Sequence, residues 1–378
     1  MNGIIKVSAK TLFLVFTIFL AVFVILFYSS FTVSGIADGL LYSVNYLIPS
    51  LFPFMVISSF TMYSGAYRPI GKIFSLPVRC LFRLPRAASA AVILGLVGGF
   101  PVGAKCVSML YSSGQITQKQ AERMMTFCVC SGPAFLITAV GTVMLHNTFI
   151  GIILYVSQLI SALMIGTAVG LIDKKRSAPS DDTQNSSSEQ KTAAESLISS
   201  CLDAAYSVLE LTSLVAIFSV LMSVIMKSGL NTVFSDMLTW FGIDTSVSSV
   251  MIPVVFEVTG ACRQICSGGC PLWVLSFAVG FGGLCVHMQI LHILKNVNIN
   301  KPKFFLFRFI NAVLSSVITY IICFFYHPIS QTFAVSENTV AEPVYDSYIG
   351  AAALIVMCII FLLSLKRPRY ASFPTEKI

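Results

Sequence analysis

Charge is what this chain has least of. Charged residues fill 11% of its 378 positions while 56% are hydrophobic, against about 25% charged in an ordinary soluble domain. A soluble globule is excluded. Histidine is scarce as well, with four in the chain. No H-E-x-x-H pair, no phosphate-cradling glycine loop and no paired nucleophile and base is present, so an enzyme reading has little to stand on. The formal charge of +8 does not gather into a basic face, because the lysines and arginines sit between apolar runs. They report topology and not a nucleic-acid partner.

The partner that composition does name is the lipid bilayer. Apolar runs at 11–29, 46–63, 124–145, 149–172, 204–226, 272–292, 304–326 and 348–365 each approach the length of about 20 residues that a membrane demands. The first exceeds a secretory h-region of about 7 to 15 residues and lacks a small-x-small cleavage site, so it reads as an uncleaved helix. Most of the eleven cysteines lie inside these runs, where they act as small hydrophobes. Cys262, Cys266 and Cys270 share a four-residue spacing, but Gly268 and Gly269 interrupt them and no histidine lies near. A structural zinc site needs four placed ligands, so neither a metal nor another cofactor is expected, and the thiols read as free.

Two apolar stretches, 88–113 and 246–267, carry a glycine-rich centre and a cation each. As full crossings they would send Lys119 and Arg123, and later Lys174 to Arg176, to the outside, against the positive-inside rule. As re-entrant hairpins they restore it. Both termini, the 68–86 loop, the 174–191 loop and the 295–303 loop then face the cytoplasm, and Lys227 lies opposite with Asp38, Asp236 and Asp244. Irregular backbone at membrane depth is permitted where protein or a water-filled cavity surrounds it.

The expected fold is therefore an all-α polytopic membrane protein with two inverted repeats, each holding a re-entrant helical hairpin and a broken transmembrane helix. An N-terminal helix occupies 1–35, the first repeat 36–172, a polar disordered cytoplasmic linker 173–196, the second repeat 197–326, and a C-terminal helix with a basic tail 327–378. Short echoes agree with duplication. Tyr42-Ser43-Val44 recurs as Tyr206-Ser207-Val208 and Ser64-Gly65 as Ser228-Gly229, both 164 positions on, and Gly103-Ala104 recurs as Gly260-Ala261.

An ionised side chain at membrane depth is costly and marks function or snorkelling. Lys105, Glu257 and Arg263 meet that description. Glu257 suits a coupling cation, a proton or a cationic partner. The hairpin glycines Gly99, Gly103 and Gly260, and the breaks at Ser131-Gly132-Pro133 and around Gly282 and Gly283, would expose half-helix N–H groups that favour anions. Ser131, Thr259 and Gln289 would add neutral hydrogen bonds. Two plainer readings stand beside these: glycines that let helices pack closely, and His287 as a packing residue instead of a proton-linked switch. The site so defined prefers a small anionic substrate. Oligomeric state is not encoded legibly.

Pro49-Ser-Leu-Phe-Pro53, Gly99-Phe-Pro-Val-Gly-Ala-Lys105, Ile116-Thr-Gln-Lys-Gln-Ala-Glu-Arg123, Ser131-Gly-Pro133 and Gly282-Gly-Leu-Cys-Val-His-Met-Gln289 together resemble the YlbJ family of sporulation integral membrane proteins. That family falls in the larger group carrying the nucleoside-recognition Gate domain. The resemblance runs from about Leu47 to Tyr326. It implies a multi-pass bacterial membrane protein of the outer forespore (mother-cell derived) membrane that transports dipicolinic acid toward the spore. Where the family carries asparagine before Ser-Gly-Pro, this chain has Cys128-Val-Cys130, which removes one amide donor. Two alternatives remain open: a carrier of nucleosides or other neutral solutes, and a non-transporting scaffold of the spore envelope.

Overall fold

The computed structural model describes residues 9–172 and 192–326. The expectations for most of the linker, the C-terminal helix at 348–365 and the basic tail lie outside those residues. Among the described residues every regular element is helical. Five helices among the described residues are long and apolar enough to cross a membrane: Ser29–Tyr63, Thr148–Ile172, Ala193–Lys227, Leu272–Ile293 and Lys301–Tyr326. The chain is a multi-pass membrane protein.

Burial explains why lipid, not water, is the solvent of these helices. Along Ala193–Lys227, Ser196, Ser200 and Ala204 are buried while Ile198, Leu202 and Leu209 are exposed. Small and polar groups face the protein and branched apolar ones face out, which is the inverse of a soluble amphipathic helix.

Two of these helices are longer than their apolar cores suggested. The expected span at 46–63 is the second part of the 35-residue Ser29–Tyr63 helix, and 204–226 lies inside the 35-residue Ala193–Lys227 helix. Each is about 52 Å long at 1.5 Å per residue, well beyond a hydrocarbon core of about 30 Å. The boundary drawn at 35/36 therefore cuts a helix, as does the linker end at 196. The cause is visible in sequence: a Thr192 and Glu195 capping box starts the second helix before its apolar run begins. In the first, Gly35, Asp38 and Gly39 depress the hydropathy without interrupting the helix.

The two long helices pack against each other along their length, and they run antiparallel. Ser223 donates to the Phe31 carbonyl at 3.0 Å near one end, and Tyr63 and Ser59 donate to Asp203 at 3.1 Å near the other. Close approach depends on Gly35 and Gly39. A β-carbon there would stand 2.9 Å from the Val220 Cα and 3.0 Å from the Ala216 Cα, a small-xxx-small contact.

After its long helix each half repeats one order of elements. The first half continues through Tyr67–Ile73 and Ser75–Phe82 to the helix pair Arg86–Gly98 and Phe100–Ser112, then Gln118–Met125, a break, Ala134–Met144 and Thr148–Ile172. The second continues through Leu230–Trp240 and Thr245–Ser248 to Met251–Phe256 and Val258–Ser267, then Leu272–Phe281, a break at Gly282, Gly283–Ile293 and Lys301–Tyr326. The last helices are antiparallel too, with Phe149 beside Tyr326 at 6.3 Å between rings and Ser161 bonded to Asn311 at 2.9 Å.

Each arm of the first pair has 13 residues, about 20 Å, too short to cross the hydrocarbon core alone. The turn is a single residue, Gly99, at φ +91°, a conformation that a side chain would strain. In the second pair the turn is Glu257, in extended backbone at φ −150°. The expected span at 124–145 is not one helix. Residues 126–132 run without regular helix, and Ala134–Met144 resumes as a π-helix behind Pro133, which has no N–H to join the preceding turn.

Candidate functional site

Each turn meets the break of its own half. A β-carbon on Gly99 would lie 3.1 Å from the Gly132 amide, and one on Gly283 would lie 3.2 Å from the Glu257 amide. Within each half, therefore, the hairpin tip rests on the interrupted helix. The two halves are then joined across the centre, where Ser131 donates to the Val279 carbonyl at 2.9 Å.

Around this junction lies a cavity of about 50 Å³. Gly99, Ser131, Gly132, Glu257, Thr259 and Gln289 line it, with Leu51, Phe100, Phe135 and Val215 among its apolar walls. A water needs roughly 10 to 15 Å³ measured this way, so the space admits a few waters and no organic solute.

Glu257 is not an isolated carboxylate. It caps the Val258–Ser267 helix, accepting from the Thr259 amide at 2.8 Å, from the Gly260 amide and from the Thr259 hydroxyl. Its charge is thereby set at the positive end of a helix dipole. The helices opening at Phe100 and Ala134, by contrast, have no side-chain cap. Their first N–H groups are left without a side-chain acceptor.

A second, larger cavity of about 370 Å³ adjoins the outer side of the second hairpin. Glu257, Thr259, Gly260 and Arg263 line it, and Glu257 and Thr259 thus border both spaces. The Arg263 guanidinium sits 5.1 Å over the Tyr42 ring, a cation–π contact.

The remaining expected site residues line neither cavity. Lys105 neither faces a substrate space nor snorkels. Its ammonium is 2.8 Å from the Asp203 carboxylate and 3.0 Å from the Ser207 hydroxyl, so the first hairpin is tied to the second half's long helix. Gly103 is a packing glycine, since a β-carbon there would fall 2.2 Å from the Cys128 carbonyl oxygen. Gly282, at φ +86°, interrupts the Leu272–Ile293 span beside Phe100, and Gly283 packs on the second hairpin tip. His287 is fully buried, bonded to the Phe281 carbonyl at 2.8 Å and set edge-on to Phe281, Phe304 and Phe305. That is the packing reading.

Residues absent from the sequence-based set hold the centre together. Arg308, 1% exposed, donates to the carbonyls of Val129 and Gly280, one at each break, and stacks 5.1 Å over Phe100. Asn311 donates to Gln158 at 3.1 Å and to the Gly280 carbonyl at 3.3 Å. Gln158 in turn donates to the Ser276 carbonyl at 3.1 Å. Carbonyls freed by a helix break need donors at membrane depth, and these side chains supply them. The signal in sequence was a run of polar residues, Arg308, Asn311, Ser315 and Thr319, at helical spacing inside an apolar span.

Over 295 residues, 72% of each chain, the sequence is 25% identical to the sporulation integral membrane protein YlbJ of Bacillus subtilis (strain 168). The chain is YlbJ-like. No protein-family model and no solved structure matches it, so the Gate-domain grouping stays an expectation. The likeness to YlbJ agrees with the inside-out burial of the helices, since YlbJ too is named an integral membrane protein.

Proposed function

We propose that this protein is a membrane transporter that carries a small organic anion between its two helix hairpins by alternating access. The observation that carries this reading is the meeting of two hairpin turns and two helix breaks, one of each from either half, around one cavity. Corresponding interruptions in two halves are how secondary carriers build a midplane site. Antiparallel packing of the two long helices supports inverted topology for the halves, with each short helix pair as a re-entrant hairpin.

An anion is favoured by the uncapped N-termini at Phe100 and Ala134 and by the buried Arg308 behind the Phe100 ring. Dipicolinate, crossing the outer forespore membrane, is the substrate that the resemblance to the YlbJ family implies. One observation favours a second reading, a neutral solute such as a nucleoside: the small cavity has Glu257 as its one charged side chain and no cation in its lining.

Uptake of radiolabelled dipicolinate and uridine into proteoliposomes containing the purified protein separates these. Saturable dipicolinate uptake is expected. Uptake of uridine alone would move the assignment to neutral solutes, and uptake of neither would leave a membrane scaffold.

A further inference from the structure

The two hairpins carry their cations at equivalent positions. Lys105 lies six residues beyond the turn at Gly99, and Arg263 lies six beyond the turn at Glu257. The long helices carry an acid at nearly equivalent positions as well. Asp38 stands nine positions into Ser29–Tyr63, where it is the one charged side chain, and Asp203 stands ten positions into Ala193–Lys227.

One cation has met its acid and the other has not. The Lys105 ammonium is 2.8 Å from the Asp203 carboxylate, to which Ser59 and the Tyr63 hydroxyl also donate at 3.1 Å each. Arg263 and Asp38 are both exposed and line the cavity of about 370 Å³, and among the described residues neither makes an ion pair. Arg263 rests on the Tyr42 ring, and Lys227, the other cation of that lining, rests 5.8 Å over the Phe31 ring.

The contacts described above divide the helices into two bodies. Hairpin tips and breaks are tied together by Ser131 on Val279 and by Arg308 on Val129 and Gly280, whereas the long helices are locked to each other at Gly35 and Gly39. Lys105 bridges the first body to the second. An Arg263 and Asp38 pair would do the same, and at the opposite end of the antiparallel helices: Asp203 is beside Ser59 and Tyr63, while Asp38 adjoins Gly39, whose β-carbon would touch Ser219.

We propose that Lys105 with Asp203, and Arg263 with Asp38, are alternating latches. The pair formed here holds one conformation, and the second pair, made when the first is released, holds the other. Exchanging the conformations of two inverted halves turns one state of a carrier into its opposite, and that exchange breaks the Lys105 bridge as it makes the Arg263 bridge. Ion pairs that stay partly accessible are weak, so either can open within a cycle. The inference rests on the alternating-access reading for its motion, and on the placement of the four charges for its chemistry.

Maleimide labelling of one cysteine reads the state without transport. Removing a contact made in only one state shifts the population toward the other. Met222 lines the same cavity as Arg263 and Asp38, and drawing those two together covers it. In purified full-length protein with Met222→Cys in a background without other reactive thiols, Lys105→Gln and Asp203→Asn should each slow labelling at least about threefold. Adding Asp38→Asn to Lys105→Gln should return the rate to within about twofold of the starting protein, because the second latch is then missing too. Where a charge variant fails to fold, Ser59→Ala with Tyr63→Phe, which withdraws two donors from Asp203, should slow labelling in the same direction.

Labelling indifferent to Lys105, to Asp203 and to the Ser59 and Tyr63 pair would overturn the first latch. Slowing that Asp38→Asn leaves in place would overturn the second, and with it the alternation. Proteoliposome uptake by the same preparations keeps the two ideas apart. The expected labelling in protein that takes up neither dipicolinate nor uridine removes transport and leaves the latches. Uptake with labelling indifferent to all of these variants removes the latches and leaves transport.

Discussion

At the scale of single residues, the cations of this chain divide by what neutralises them. Arg308 is enclosed by carbonyls, Lys105 by Asp203, and Arg263 by a tyrosine face beside open space. Arg308→Met would leave the buried Val129 carbonyl without its donor and the Gly280 carbonyl with Asn311 alone. At about 1 to 3 kcal/mol for an unsatisfied group, the expected loss is about 1 to 3 kcal/mol, read as a shifted unfolding transition in mixed detergent micelles. An unchanged transition would show that water replaces the guanidinium at the breaks. The Lys105 and Asp203 pair makes a different prediction, because both partners are partly accessible and the pair lies between elements of opposite halves. Lys105→Ala and Asp203→Ala should each destabilise, and the double variant should recover part of the loss, with a coupling of about 0.5 to 2 kcal/mol. Strict additivity in that cycle would mean that the contact contributes nothing. Sequence distinguished Lys105 and Arg263 as cations out of place, yet not their fates. A partner nearly a hundred positions away in the chain, Asp203, is invisible to local spacing.

At the scale of elements, glycine decides which helices touch. Gly39→Val is expected to part the two long helices, since even a β-carbon would stand 3.0 Å from the Ala216 Cα and 2.8 Å from the Ser219 hydroxyl. Gly103→Val should be worse, with backbone 2.2 Å away at the Cys128 carbonyl. Gly114→Ala, at a loop position with open space around its β-carbon and φ +70°, is expected to cost only the backbone strain of about 1 kcal/mol. Yield of monodisperse protein after detergent extraction, compared across the three, checks the order. Equal tolerance at Gly39 and Gly114 would contradict the packing. The hairpins and breaks were legible in sequence because glycine, proline and a cation inside an apolar run disturb both hydropathy and helix propensity at one place. The long helices were not, because a membrane helix that leaves the lipid keeps its backbone pattern while its side chains turn polar. Gly35-Ile-Ala-Asp-Gly39 carried the contact motif, but its low hydropathy read as a loop. The central network around Arg308 escaped for the opposite reason: one polar side chain every three or four residues barely lowers the average of an apolar span.

At the scale of the molecule, the order of elements repeats from Ser29–Tyr63 to Thr148–Ile172 and again from Ala193–Lys227 to Lys301–Tyr326. The long helices are each 35 residues, begin 164 positions apart, the spacing of the Tyr-Ser-Val echo, and run in opposite directions. If the halves are inverted across the bilayer, equivalent loops must lie on opposite faces. The connections after the two hairpins make the sharpest pair. Ser113 ends the first hairpin beside Gly114, and Ser267 ends the second beside Gly268 and Gly269, and Ser267 is exposed while Ser113 borders an exposed turn. Cation placement sets the sign of the prediction, because Lys119 follows the first connection and Lys227 is the cation beside the second cavity. Short loops rich in lysine and arginine stay in the cytoplasm. Single cysteines at Ser113 and Ser267, in a background without other reactive thiols, should therefore react from opposite sides with a membrane-impermeant maleimide, Ser267→Cys in intact cells and Ser113→Cys only after permeabilisation. Labelling of both from one side would make the hairpins parallel, place Lys105 and Arg263 on a single face, and remove the inverted halves on which alternating access depends.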